Sequence, residues 1–129
     1  MGAWNDEELA DMSATSELRI APMRDDGTLQ RPRIIWVVRL DDDVYVRSVN
    51  GPDGAWFQGV QARHAGHISA GAVDADVLLE DADHDLDDAI DEAYRRKYGR
   101  SSSSVERITS AQARTTTMRL VPASSDDAR

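Results

Sequence analysis

RPRIIWVVRLDDDVYVRSVNGPDGAW, residues Arg31 to Trp56, decides how the chain folds. Ile34 to Leu40 is apolar almost without interruption, the pattern of a strand covered on both faces. Val44 to Val49 alternates instead: Tyr45, Arg47 and Val49 fall on one face and Val44, Val46 and Ser48 on the other. Asp41, Asp42 and Asp43 between the two runs predict a tight hairpin turn. Asn50 to Gly54 is dense in turn formers and delivers Ala55 and Trp56 to the start of a helix. A polar strand face carrying Tyr45 and Arg47 beside a glycine loop is a candidate ligand wall.

The 129 residues match the usual size of one domain, read here as residues 1–122 with a disordered tail over 123–129. No cysteine is present, so disulfides, a thiol nucleophile and thiolate metal sites are excluded, which suits a reducing compartment. Asp and Glu number 24 against 15 Lys and Arg, a net charge of -9. That surface repels phosphodiester backbones and anionic lipid, so neither nucleic acid nor membrane is an expected partner. No run approaches the roughly 20 apolar residues of a membrane span. MGAWNDEELAD is acidic where a signal peptide would be basic and then apolar, so a cytoplasmic protein is expected. Lys97 is the single lysine, and the abundance of Ala, Arg and Asp fits a GC-rich bacterial genome.

Working outward from the hairpin, Asn5 to about Thr15 predicts a helix, with Asn5 as its cap and Glu8 completing a capping box. Glu17 to Met23 alternates as a half-buried strand, and the turn at 24–27 ends on glycine. A short helix is expected from Ala55 to about Arg63, then strands near His67 to Ala70 and Ala75 to Glu80. The acidic run 80–92 leads into a helix burying Leu86, Ile90, Ala93, Tyr94 and Tyr98, ended by Gly99. Ser101 to Ser104 reads as a flexible link and Arg114 to Val121 as a last strand. Six strands and about three helices without a βαβ rhythm predict a mainly β, α+β domain, an antiparallel barrel with helices at its ends.

Gly27, Arg31-Pro32 to Val38, Val44 to Ser48, Gly51, Trp56 and Tyr94 to Gly99 together resemble an uncharacterised bacterial family, the domain of unknown function numbered 2255. That family is similar to the flavin- and deazaflavin-binding split β-barrels, which include pyridoxamine-phosphate-oxidase-like proteins. The resemblance implies a six-stranded split barrel, a homodimer formed by barrel packing, and FMN or deazaflavin in the groove between subunits. Ala55-Trp56-Phe57 stands where the deazaflavin relatives open a helix with Ala-Trp-Tyr.

On that footing Arg33, Arg47 and Ser48 are the candidates to hold a flavin phosphate, because guanidinium forks match phosphate oxygens. The plainer alternative pairs Arg47 with one of the many carboxylates. Trp56 and Tyr45 are candidates to flank a ring, against the plainer reading of core aromatics. His64, His67 and Tyr45 are candidate proton carriers, since imidazole titrates near neutrality. Asp81, Asp83, Asp85, Asp87 and Glu92 fit a calcium-loop spacing, but Leu86 occupies the glycine position and a helix cap explains the same acids, so no metal is expected. The functions left open are a flavin- or deazaflavin-dependent oxidoreductase, a cofactor-free cyclase or isomerase of a biosynthetic pathway, and a ligand-binding protein without catalysis.

Overall fold

In the computed structural model, which describes residues 4–100 and 102–123, the run expected as one buried strand is two. β2 (Arg33–Ile35) and β3 (Val37–Leu40) are separated by Trp36, whose ring lies flat on that of Tyr98 with centroids 3.9 Å apart. The remaining strands are β1 (Leu18–Pro22), β4 (Asp43–Val46), β5 (Ala65–Ala70), β6 (Val73–Asp81) and β7 (Met118–Pro122). Every pairing is antiparallel, in the order β2-β1-β5-β6-β7-β4-β3. β2 and β3 therefore stand at opposite ends of the ladder although one residue separates them in the chain. Such a sheet must curl back on itself, so the result is a nearly closed, split antiparallel barrel with its seam at Trp36. Seven strands replace the expected six because the seam divides one of them.

The split also explains why burial on both faces fails at Ile34, which is 52% exposed. β2 pairs only with β1, over three residues, and presents its other edge outward. Beyond the seam the alternation of β4 holds. Val44 and Val46 enter the barrel interior with Leu18, Ile20, Val37, Ile68, Leu79 and Leu120. Tyr45 turns to the outer face, where it packs with Val38, Ile90, Tyr94 and Ile108. The hairpin turn is the pair Asp41-Asp42, with Asp43 already in the ladder opposite Leu40. Asp41 takes a φ of 56°, a left-handed conformation that Asp tolerates better than most residues.

Among the described residues five α-helices pack on this barrel. α1 (Asp6–Ala14) carries the expected capping box, Asn5 and Glu8 each bonding the other's backbone, and plugs the barrel with Leu9 and Met12. α2 (Ala55–Val60) is shorter than expected and buries Trp56 and Val60. α3 (Asp87–Tyr98) covers the outer face of β3 and β4 through Ile90 and Tyr94. Before it Asp83 caps a 3-10 turn (His84–Leu86), accepting from the amide of Asp85 at 2.9 Å, while α3 itself starts from Leu86 without a side-chain cap and carries Asp87 and Asp88 in its first turn.

The expected flexible link and the start of the expected last strand are instead α4 (Ser103–Ile108) and α5 (Ala111–Arg114). Ser102 and Ser110 cap them, and Val105, Ile108 and Ala113 are buried. Serines that look like a linker are here helix N-caps, a role their hydroxyls fill well. Of the expected tail, 124–129 lie outside the described residues, and the amide of Ala123 donates to Asp76 at 2.8 Å.

The seam is locked by the end of α3. The Tyr98 hydroxyl accepts from the amide of Val37 at 3.2 Å and donates to the carbonyl of Ser16 at 2.7 Å. Burial pushes that hydroxyl up to about 12, so it stays neutral. Tyr98→Phe keeps the stacking on Trp36 and loses both bonds. Urea unfolding should register a loss of about 1–2 kcal/mol, because a part-buried amide is left unpaired; unchanged stability would show that the hydroxyl does not hold the seam.

Candidate functional site

Arg47 leaves β4 at the point where the ladder ends, and its side chain turns under α3 on the same face as Tyr45. It is 1% exposed. A buried guanidinium has to place its donors, and this one does so on three elements. Nε donates to the Thr117 hydroxyl at 2.8 Å, and the terminal nitrogens donate to the carbonyls of Ile108 at 3.1 Å and Asp87 at 3.2 Å. Its counter-charge is Asp91, itself 1% exposed, whose second oxygen accepts from Arg114 Nε at 3.0 Å. The Tyr94 ring lies 5.6 Å from the guanidinium, and burial raises the Tyr94 hydroxyl well above its usual range.

Beside this pair, a cavity of about 370 Å³ opens between β2, the loop after β4, the start of α2 and α4. Arg33, Ile34, Ile35 and Trp36 come from the seam, Arg47 to Asn50 from the loop, Gly54 to Trp56 from the helix start, and Ser104, Arg107 and Ile108 from α4. The loop is tight. A Cβ on Gly54 would lie 2.0 Å from the Ser48 hydroxyl, and Gly51 has a φ of +67°, so both positions demand glycine. Ser48 is fixed by its own amide, which donates to the Thr116 hydroxyl at 2.8 Å.

Four residues singled out in the sequence, Arg33, Arg47, Ser48 and Trp56, thus meet in one wall. The three candidate proton carriers do not. Tyr45 faces α3 in the outer core. His64 sits in the turn before β5 with a φ of 53°, its amide donating to Val60 at 2.6 Å. His67 lies on β5, its ring nitrogens facing Asp76, at 2.8 Å, and Asp74 on the neighbouring strand. Strand alternation and hairpin register put it on the outer face of β5–β6, away from the loop after β4. The residues missed are Asn50, Ser104 and Arg107. Arg107 donates to the side-chain oxygen of Asn50, a neutral partner. Among the described residues neither Arg33 nor Arg107 has a carboxylate within ion-pair distance, whereas Arg39, Arg47, Arg95, Arg96, Arg100, Arg114 and Arg119 all do. Arg107 lies in 105–113, a stretch assigned to no element from the sequence, between the linker read at Ser101 to Ser104 and the last strand.

Residues 8–120 match the family described as "Uncharacterized protein conserved in bacteria (DUF2255)". The chain belongs to DUF2255. No curated protein matches it. Among solved structures, the DUF2255 chain is similar to a candidate 5-nitroimidazole antibiotic resistance protein of Bacteroides thetaiotaomicron, at a TM-score of 0.61 and 13% identity, covering 92% of this chain and 79% of that one. A conserved hypothetical protein of Mycobacterium tuberculosis matches at a TM-score of 0.57 and 8% identity, covering 96% and 83%. An FMN-binding protein of Nostoc punctiforme related to pyridoxamine 5'-phosphate oxidase matches at 0.46 and 12%, covering 90% and 74%. The first two likenesses show that these proteins share the fold of this DUF2255 chain. No helix among the described residues is long and apolar enough to cross a membrane.

Two predictions follow from the charges. Asp91→Ala leaves the buried Arg47 with only its longer pair to the Asp87 carboxylate, 3.6 Å away, and should cost about 3 kcal/mol of stability, the lower end for a broken buried pair. Combined with Arg47→Met it should cost clearly less than the two single changes added together, because no bare charge remains; a double-mutant cycle in denaturant that proves additive would rule out the coupling. His67 is raised by its bond to Asp76 and, next, by Asp74, against some desolvation. A raised folded value means the contribution is complete below the unfolded value of about 6.5 and is lost as pH climbs through the folded one. The group is partly exposed, so solvent screening keeps the effect on stability small. An NMR titration should find the His67 midpoint above that of a free histidine and lower in Asp76→Asn; equal midpoints in the two proteins would contradict the pairing.

Proposed function

We propose that the cavity holds a planar, anionic aromatic molecule of the flavin or deazaflavin class, and that the protein supports a redox step with it. One observation carries this reading. Trp36 and Trp56 share a wall with two guanidinium groups, Arg33 and Arg107, that lack carboxylate partners among the described residues of a chain with a net charge of -9. Where acids are in excess, an arginine that faces a cavity without an acid is available to an anionic ligand.

The residues fit such a group. The volume of about 370 Å³ lies inside the range usual for ligand sites, roughly 300–1,000 Å³. Arg33 and Arg107 would take the phosphate or carboxylate end, with Ser104 and the Asn50 amide group nearby as neutral donors. Ile35, Trp56, Val49 and Ile108 would meet the ring. Arg47 has its donors taken up by Asp91, Thr117, Ile108 and Asp87, so its part is to hold the wall rather than the ligand. A bound flavin supplies the hydride chemistry itself. The chain contributes orientation, charge and exclusion of water. Protons reach the open cavity from solvent, since His64, His67 and Tyr45 lie elsewhere. A second copy of the chain seated over Ile34 and Val49, 52% and 36% exposed at the mouth, would close it and make the homodimer that the resemblance implies.

The lining also supports a second reading, a ligand holder without catalysis, because arginines, serines and apolar groups bind well but do not transfer protons at neutral pH. The same lining gives less support to a cofactor-free cyclase or isomerase, which needs a titratable group beside its substrate.

FMN and a deazaflavin cofactor, each titrated into the purified protein, should quench tryptophan fluorescence. Arg107→Ala and Arg33→Ala should each weaken the better ligand about tenfold, the loss of roughly one charge-assisted hydrogen bond. Silence with both cofactors would sink the proposal. Binding without reduction of the bound flavin by nicotinamide nucleotides would leave the ligand-holder reading in its place.

A further inference from the structure

Away from that cavity, the end of α3 carries Lys97, the one lysine of the chain. Nζ donates to the carbonyl of Val37 at 2.7 Å and to that of Met12 at 3.1 Å, tying α3 to β3 and to the end of α1. Both partners are neutral, whereas the neighbouring Arg95 and Arg96 reach Glu92. Lys97 also lines a second groove of about 620 Å³ between α3 and the β3–β4 hairpin, together with Ser13, Arg39, Asp41, Glu92 and Arg96.

Among the described residues no carboxylate pairs with Nζ, although the Tyr98 ring, with its centroid 5.3 Å away, favours the charged form. An ammonium has three N–H donors and wants a counter-charge, whereas a neutral amine has two N–H donors and a lone pair. Two carbonyls satisfy the two donors and leave the lone pair free. Burial without a compensating carboxylate brings the group down to about 8. Arg39 and Arg96 line the same groove in loose surface pairs, with Asp42 at 3.9 Å and Glu92 at 3.4 Å, of a kind that a stronger anion can displace. Glu92 is shared among Arg95, Arg96 and Arg100, which lowers its hold on any one of them. Asp41 is the remaining acid of the lining, and its carbonyl already accepts from Arg39 Nε at 2.7 Å.

We propose that Lys97 is a covalent acylation site for small acyl phosphates, with Arg39 and Arg96 holding the phosphate while Nζ attacks the carbonyl carbon. A C–N amide bond forms, the C–O bond to phosphate breaks, and the phosphate leaves with the electron pair. The displaced amine proton passes to phosphate or water, so no oxidant or reductant is needed. The acylated nitrogen keeps one N–H, so one of the two carbonyls must give up its bond. Acylation thereby loosens the tie between α3 and either α1 or the seam strand β3.

The full chain is treated with acetyl phosphate across neutral and alkaline pH, and acetylation is followed by peptide mass spectrometry. Lys97 should react on the order of tenfold faster than Nα-acetyl-lysine near pH 8, the larger neutral fraction outweighing the lower basicity. Arg39→Gln with Arg96→Gln should slow the reaction of Lys97 with acetyl phosphate several-fold. The same pair of changes should leave unaltered both its reaction with uncharged 4-nitrophenyl acetate and the acetylation of the N-terminal amine. A Lys97 rate no greater than that of the free amino acid would overturn the site. Arginine changes that affect both donors equally, or neither, would overturn the assignment to acyl phosphates.

Discussion

A guanidinium withdrawn from water costs several kcal/mol unless a counter-charge and a full set of acceptors come with it, and Arg47 brings them from three directions. Asp91 and the Asp87 carbonyl belong to α3, the Ile108 carbonyl ends α4, and the Thr117 hydroxyl precedes β7. These segments are far apart in sequence, and the arginine bonds all of them at once. The pair is therefore better understood as an orienting device than as a source of net stability. It fixes how α3 and α4 sit on the exit of β4, and that placement brings Ser104, Arg107 and Ile108 into the cavity wall. Arg114, bonded to the other oxygen of Asp91, extends the same constraint to α5.

The seam is the second constraint, and it works by steric and hydrogen-bond geometry rather than charge. One residue, Trp36, separates strands at opposite ends of the ladder, so the backbone on either side cannot continue a single pleat. Stacking on Tyr98 covers the ring, and the Tyr98 hydroxyl and Lys97 take up the backbone groups of Val37 that the break exposes. The cavity opens beside this break. Arg33 and Ile34 can face it because β2 has an unpaired edge there. The feature that closes the barrel thus also leaves a place for a ligand.

Much of the barrel was legible in the sequence because period-two alternation survives in β1, β4, β5 and β6, and the capping box at Asn5 and Glu8 is a local signal that needs no tertiary context. The break at Trp36 was not legible, since IIWVVRL is equally apolar on both sides and nothing local marks a change of partner. α4 and α5 were missed for a related reason. Ser101 to Ser104 has linker composition, while the buried residues that follow, Val105, Ile108 and Ala113, are too few and too widely spaced to show a period. For the site, residue type was enough to pick out Arg33, Arg47, Ser48 and Trp56, which do meet. Sequence could not show that Arg47 faces inward to Asp91, because parity along the strand says which residues share a face and not what covers that face.

Charge distribution then separates the arginines by role. Among the described residues about half of the guanidinium groups find a carboxylate, as Arg119 does with Glu80 and Arg100 with Glu92, while Arg19, Arg24, Arg31 and Arg63 lack one without lining the cavity. Close pairs such as those of Arg119 and Arg100 largely neutralise both partners, unlike the loose surface pairs of Arg39 and Arg96. Arg33 and Arg107 escape this because their surroundings, Ile34, Trp36, Val49 and Asn50, offer no acid. An apolar rim also lowers the local dielectric, so a charge there acts over a longer range than on an open surface. A cavity of this kind would attract anions despite the negative charge of the whole, and would discriminate among them by what the remainder of the molecule can bury. A small inorganic anion would gain only the guanidinium contacts, whereas a flat aromatic anion would also cover Ile34, Ile35 and Val49. On the proposed reading, that difference would favour a ring-bearing ligand over a simple phosphate.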